Sequence, residues 1–320
     1  MRPNPALKLA PFGRWTSAMK PGSCGSLYDK AAFSRCLLDT MTEKTEISMS
    51  ALEAPYSVDD IEARVLAAIR VAGFDPDRCL APVELAALGH FRPGGLRASR
   101  VPRDLANIRA EDRILAIGAG LADPARMLAP FPGCQVACID LSSDYGVSAL
   151  LLKRVTGLEE RIEVRVSSAL DTPFAGKSFD VVWMQNAART SGTRGSSMRK
   201  STASSSRGGR FAFQETVASE TAATCFPLPW ATGPAGNSLV CAGEMRTVLA
   251  QSGFPAVCFA DLGEKLLPPA NKWNSGRCRA GGSESVGVFV DNLARKAASA
   301  KRRLREGEIR LVFRAVFSVK

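Results

Sequence analysis

Apolar and polar positions along the middle of the chain switch between strand-like and helix-like spacing, and the switches outline a β-α-β succession. Ile114, Leu115 and Ile117 form a short apolar run, followed by Gly118, Ala119 and Gly120 where a strand must turn sharply into a helix. Pro124 suits a first helical turn, and Ala125, Leu128 and Ala129 give that helix an apolar face. Val136, Ala137, Cys138 and Ile139 predict a second strand, ended by Asp140. Ile162, Val164 and Val166 alternate as a third strand, residues 167–174 form a loop, and Ser178–Ala187 predicts a fourth strand with a polar carboxyl end. Ligands of open α/β sheets bind at such ends.

The flanks extend the pattern. Upstream, Asp59 or Asp60 starts a helix through Ile61, Val65, Leu66 and Ile69, closed by Gly73. A second helix contains Val83–Leu88, and Gly94 and Gly95 precede a third that runs to Ala106. Downstream, the pattern predicts a fifth strand at Phe211–Glu215, a helix at Glu244–Ser252 ended by Gly253, and a sixth strand at Ala256–Asp261. An amphipathic helix with a Lys/Arg face follows at Val288–Glu306, then a last strand at Ile309–Val319.

A glycine turn with an acid at the end of the next strand fits two readings. One is a tight βα turn of any doubly wound domain; the other is a nucleotide site in which Asp140 accepts both hydroxyls of a ribose. A nicotinamide-dependent oxidoreductase would share both features, although Asp123 stands where its third glycine would let helix and strand pack closely.

Taken together, GAGLADPARMLA, the acid at Asp140, LDTPF, FDVVWMQNA, GGRFAFQE and FPLPWA resemble the S-adenosylmethionine-dependent small-molecule methyltransferases. The similarity is to the branch of sarcosine/dimethylglycine N-methyltransferases and ubiquinone/menaquinone C-methyltransferases, from about Tyr56 to Gly263 and again from about Val288 onward. It implies a doubly wound, mostly parallel α/β sheet of seven strands, a Rossmann-like methyltransferase fold with the last strand antiparallel. Residues 41–110 would be a helical cap and 111–320 the methyltransferase domain. The implied activity is in-line methyl transfer from S-adenosylmethionine to a small amine or quinone-like acceptor. The resemblance puts the methionine part of the cofactor over Gly118, Ala119 and Gly120 and the ribose on Asp140. Leu141 would flank the adenine, Ser168 and Ala169 its edge, and Gln185 and Asn186 the reacting end. No catalytic side chain is implied, because the sulfonium already activates the methyl.

The family pattern has an acid at the position of Ala116, glycines at Ala122 and Asp123, and an acid at Ser168. Each missing carboxylate removes charge-assisted hydrogen bonds of about 1.5–3 kcal/mol, so a catalytically impaired, methyltransferase-like protein is the alternative reading. In relatives the segment around Arg92 and Pro93 closes over the cofactor, and its residue types differ here. The stretch CFPLPWATGPAGNSL forms a loop at the carboxyl edge of the sheet. Its Trp230 suits either an aromatic cover for the acceptor or core packing.

A net charge of +11 suggests nucleic acid, but its distribution argues against it. Residues 1–40 carry +4 and residues 188–207 carry +5, leaving +2 for the rest; 188–207 holds no aromatic residue for base stacking, and neither segment carries a recognisable nucleic-acid motif. Residues 1–40 lack periodicity and read as a disordered or non-native extension ahead of Met41, and 265–286 as an irregular loop. Residues 188–207 fall where a crossover helix should join the fourth and fifth strands, yet they are a Ser/Thr/Arg/Gly run. Met198–Arg207 admits a codon set whose frame one base earlier reads Tyr-Ala-Glu-Ile-His-Arg-Val-Leu-Lys-Pro, the family's helix and turn before strand five. A compensated pair of frame changes therefore stands beside a plain insertion.

His90 is the only histidine, which excludes multi-histidine metal centres; with no partner motif around it, it reads as structural or solvent-facing rather than as a general base or a triad member. The 9 cysteines contain no CxxC pair, and Cys134 and Cys138 read as small apolar residues around a strand. An odd cysteine count without a secretory signal points to a reducing cytoplasm, and no apolar run is long enough to span a membrane.

Overall fold

The computed structural model describes residues 60–89, 95–130, 134–187, 205–220, 226–228, 230, 239–252, 254, 259–261 and 293–317. The basic extension 1–40, His90, Arg92, Pro93, the segment 188–204 and the segment 265–286 lie outside the described residues. The expectation of a lost crossover helix falls on that gap as well.

Seven strands make one sheet in the order β3-β2-β1-β4-β5-β7-β6. They are β1 (Arg113–Ile117), β2 (Gln135–Asp140), β3 (Ile162–Val166), β4 (Phe179–Gln185), β5 (Ser205–Ala218), β6 (Ala260–Asp261) and β7 (Ile309–Phe317). Strands β1 to β5 pair in parallel, whereas β7 runs antiparallel between β5 and β6. This is the expected doubly wound sheet with an inserted antiparallel last strand. The described helices are α1 (Ile61–Val71), α2 (Ala86–Gly89), α3 (Gly95–Ala106), α4 (Asp123–Leu128), α5 (Ser143–Val155), α6 (Ala242–Gln251) and α7 (Leu293–Arg305).

The central strands read as near-continuous apolar runs because both faces of the sheet are covered. Alternation sorts their side chains: Ile114, Ala116, Val136, Cys138, Val181, Trp183 and Ala212 enter one core with α3, α4 and α5. Leu115, Ile117, Ile139, Val182, Met184, Phe211 and Phe213 enter the other, with Met245 and Leu249 of α6. A third core joins Val65 and Ile69 of α1 to Leu151, Leu152 and Val155 of α5, seating the N-terminal helices on the sheet domain.

Several boundaries move. Strand β5 was expected at Phe211–Glu215 but covers Ser205–Ala218, because β7 offers it a continuous antiparallel ladder from Arg210 to Ala218. The irregular segment therefore ends before Ser205. Helix α2 begins at Ala86 rather than at Val83. Asp60 precedes α1 as expected, yet its side chain makes no capping bond. Gly73 closes that helix with φ +85°, and the Phe74 N–H donates to Ile69 O at 3.1 Å.

Two buried arginines brace the frame. Arg210 of β5 donates to Ala106 O at 3.0 Å, to Asn107 O at 2.7 Å and to Asp112 Oδ1, tying the exit of α3 to the central sheet. Arg303 of α7 donates to Glu308 Oε2 at 2.6 Å and to Phe226 O at 3.4 Å. Leu228 and Trp230 pack with Ala98, Val101, Leu304, Leu311 and Phe313. Of the two readings of Trp230, core packing is the one realised.

Candidate cofactor-binding site

The chain steps outward from β1 to β2 and β3, then returns to the far side of β1 for β4. This reversal places the switch point of the sheet between β1 and β4, where open α/β sheets form a crevice. The glycine turn leaves β1 at that point. Gly118 has φ +62°, and a Cβ there would stand 2.3 Å from the Cβ of Ala187, the second residue after β4. Both the backbone conformation and the contact therefore require glycine.

Gly120, with φ 57°, turns its N–H onto the next strand end. That N–H donates to Asp140 Oδ2 at 2.7 Å, and the Ser142 N–H donates to Asp140 Oδ1 at 3.1 Å. Asp140 is half-buried, and Ser142 goes on to cap α5 by accepting the Tyr145 N–H at 3.2 Å. The carboxylate thus sits at the carboxyl end of β2, beside the turn, held by backbone donors from Gly120 and Ser142.

The other expected residues gather along the same edge. Leu141 is half-buried directly after Asp140. Ser168, buried beyond β3, accepts the Leu170 N–H at 3.1 Å, and half-buried Ala169 packs against the second core. Gln185 ends β4 with its side-chain amide engaged by Ser99 of α3 and Gln214 of β5. Asn186 follows with φ 56°; its Oδ1 accepts from Thr216 Oγ1 at 3.1 Å. Gly118, Ala119, Gly120, Asp140, Leu141, Ser168, Ala169, Gln185 and Asn186 therefore all lie at the carboxyl ends of the adjacent strands β3, β2, β1 and β4. Gln185 serves as an internal brace, with both amide donors occupied within the protein.

Ser99, Gln214 and Thr216 complete this polar layer, and no sequence pattern singles them out. Gln214 lay inside the quoted GGRFAFQE, but Ser99 sits on a helix whose hydroxyl only the fold brings to Gln185. The family's glycine at 122 is here an alanine with φ 57° and ψ 30°, a conformation that costs a non-glycine residue about 1–2 kcal/mol. Among the described residues no group of three His, Cys, Asp or Glu side chains is placed to hold a metal ion, and no helix is long and apolar enough to cross a membrane.

The family model described as a methyltransferase domain matches residues 115–213, from β1 into β5. The match covers the strands that frame the switch point of the sheet. A glycine/sarcosine/dimethylglycine N-methyltransferase of Actinopolyspora halophila is 35% identical over 160 residues, 50% of this chain and 28% of that protein. A sarcosine/dimethylglycine N-methyltransferase of Aphanothece halophytica is 27% identical over 169 residues, 53% of this chain and 61% of that protein. The matches thus span less than two thirds of either relative. Among solved structures, a geranyl diphosphate methyltransferase in complex with S-adenosylmethionine superposes with a TM-score of 0.55 at 17% identity, over 85% of this chain and 96% of that one. A sarcosine dimethylglycine methyltransferase structure from Galdieria sulphuraria gives 0.52 at 16% identity, over 70% of this chain and 86% of that one. These likenesses are of fold, an open Rossmann-like α/β sheet that those solved structures share.

Proposed function

We propose that the domain binds S-adenosylmethionine and transfers its methyl group to a small molecule bearing an amine or a quinone-like ring. The observation that carries this reading is Asp140, a half-buried carboxylate at the end of β2 fixed beside the glycine turn by Gly120 and Ser142, the place where such folds hold a ribose. Gly118–Gly120 would lie under the amino-acid end of the cofactor, Leu141 against the adenine, Ser168 and Ala169 at its edge, and Asn186 toward the reacting end. The residues present fit the group: a glycine turn that excludes any side chain, and a half-buried carboxylate at the neighbouring strand end.

The cofactor supplies an activated methyl on sulfur. The protein's own share is to align donor and acceptor and to keep water out, which the buried layer of Ser99, Gln185, Gln214 and Thr216 supports by fixing the strand ends in place. No proton acceptor is needed for a neutral amine nucleophile. The N-methyltransferase relatives favour a small amine, and a geranyl diphosphate C-methyltransferase of similar fold leaves carbon acceptors within its reach.

Incubation with S-adenosylmethionine and a panel of glycine derivatives, other small amines and quinone precursors, read by mass spectrometry, tests the reading. A product heavier by one methylene, formed with S-adenosylhomocysteine, supports it; binding of the cofactor without turnover of any acceptor would leave the impaired alternative standing in its place.

A further inference from the structure

The charge outside the two basic segments is not spread evenly over the fold. Residues 95–106, which form α3, hold three arginines against Asp104, a net +2. Residues 293–308, which contain α7, hold six lysines and arginines against Glu306 and Glu308, a net +4. Outside 1–40 and 188–207 the chain is +2, so everything there except these two stretches is −4. The ion pairs within the stretches join Arg103 to Asp104 at 2.6 Å, Arg302 to Glu306 at 3.6 Å and Arg303 to Glu308 at 2.6 Å, and their acids are already in that count.

The fold brings the two helices together. Ala98 and Val101 of α3 and Leu304 of α7 enter one core with Leu311 and Phe313 of β7, so both helices lie on the same face of the sheet. With these apolar residues turned to the core, the helices present charge to solvent: Arg97, Arg295, Arg302 and Arg305 are exposed, and Arg100 and Lys296 are half-buried. The chain leaves α7 at the carboxyl edge of the sheet, where the Ser219 N–H donates to Glu308 O at 2.8 Å. The first half of α3 reaches the same edge, where Ser99 accepts from the Gln185 amide at 3.0 Å. The basic face therefore borders the edge that carries the candidate site.

Two features define what such a face can hold. Neither stretch contains an aromatic residue, so nucleic-acid bases have nothing to stack on. The large apolar side chains exposed among the described residues are Val71 and Val83, both outside these helices, so the face has no apolar anchor of the kind found at the centre of protein–protein interfaces. What it offers is a broad array of guanidinium groups, which pair well with phosphate oxygens, and repeated phosphates on a plane are the chemistry of an anionic phospholipid surface. We infer that α3 and α7 dock the protein on an anionic bilayer by charge alone, without insertion, and set the carboxyl edge of the sheet next to the lipid. The inference stands apart from the cofactor reading; where both hold, an acceptor dissolved in the bilayer reaches the site from the docked face.

Sedimentation of the full chain with vesicles tests it, comparing phosphatidylcholine alone with phosphatidylcholine containing about one third phosphatidylglycerol. Wild type is expected to sediment with the anionic vesicles only, and to be released as salt is raised from about 0.1 M to about 0.5 M. Arg97→Gln, Arg295→Gln and Arg302→Gln combined should weaken vesicle binding about tenfold or more. The same three positions changed to lysine keep the charge and should bind within about twofold of wild type. All three are exposed, so a Tm near wild type is expected in both combinations. Arg199→Gln with Lys200→Gln, in the basic segment 188–207, is the control and should alter binding by about twofold at most. Wild type that ignores anionic vesicles, a triple glutamine variant that binds as wild type does, or a control that loses as much as that variant overturns the inference. Displacement of wild type from the vesicles by a short DNA duplex at equal phosphate concentration overturns it too, and assigns the face to nucleic acid.

Discussion

Asp140 and Gly120 are joined by a 2.7 Å hydrogen bond from the glycine N–H to the carboxylate, so the end of β2 holds the turn that leaves β1. The same carboxylate accepts the Ser142 N–H at 3.1 Å and so also organises the start of α5. Hydrogen bonds to a charged acceptor contribute about 1.5–3 kcal/mol each, and Gly120 itself is buried. Asp140→Ala should therefore lower unfolding stability by about 2–4 kcal/mol in urea titration, beyond the effect of a surface carboxylate.

Gly118→Ala meets two separate penalties. A positive φ costs an alanine about 1–2 kcal/mol, and its methyl would stand 2.3 Å from the Ala187 Cβ. A loss of about 2–5 kcal/mol is expected by chemical denaturation, with the strand end displaced. Adding Ala187→Gly should recover the steric part but not the conformational part, so the double variant is expected to be more stable than Gly118→Ala alone and less stable than wild type.

Much of this architecture was legible before the fold was known, and the exceptions share a cause. The glycine turn, the acid at Asp140 and strands β1 to β4 follow from periodicity, since each is decided by residues next to one another in sequence. Strand β5 runs past its apolar core because β7, about a hundred residues away, pairs with it from Arg210 to Ala218 and Phe179 of β4 pairs with Ser205, and no local pattern reports a pairing partner. Arg210 is a buried brace that no local pattern reveals, since Asp112 and the carbonyls of Ala106 and Asn107 reach it from the end of α3 and the chain beyond. The apolar face of Ala125, Leu128 and Ala129 follows from spacing, but all six residues of helix α4 are buried, which no local pattern reports. The candidate site was legible as a set of strand ends. The layer of Ser99, Gln214 and Thr216 was not, because those contacts exist only between elements distant in sequence.

The Arg210–Asp112 pair permits a direct test of its bracing role. Arg210→Ala leaves Asp112 buried without its counterion, and the Ala106 and Asn107 carbonyls lose their donor. Such single removals cost about 3–5 kcal/mol, whereas an apolar replacement of both partners costs less. Urea unfolding of Arg210→Ala against Arg210→Met with Asp112→Leu should show the single variant to be the less stable.

Burial pushes the Cys138 thiol up to about 12, an effect that Asp140 and Asp123 reinforce and that Lys153 and Arg126 oppose. Cys134 is likewise pushed up to about 12, chiefly by burial and then by Asp112. In the unfolded chain these thiols ionise near pH 8.5. The unfolded state therefore releases protons first as pH rises, and the stability these groups contribute is complete below about pH 8.5 and is lost progressively toward pH 12. Unfolding free energy measured from pH 8 to pH 10.5 should fall more steeply in wild type than in Cys138→Ala. Alkylation mapped by mass spectrometry at pH 8 should leave both residues unmodified until denaturant is added.

The claim that decides the account is that Asp140 and the turn at Gly118–Gly120 hold S-adenosylmethionine. Isothermal titration of wild type and Asp140→Ala with S-adenosylhomocysteine, and separately with NAD, tests it most directly. The account predicts saturable binding of S-adenosylhomocysteine by wild type, weakened about 10- to 100-fold in Asp140→Ala, and no comparable heat from NAD. Tight NAD binding, or S-adenosylhomocysteine affinity unchanged by the loss of the Asp140 carboxylate, would contradict it.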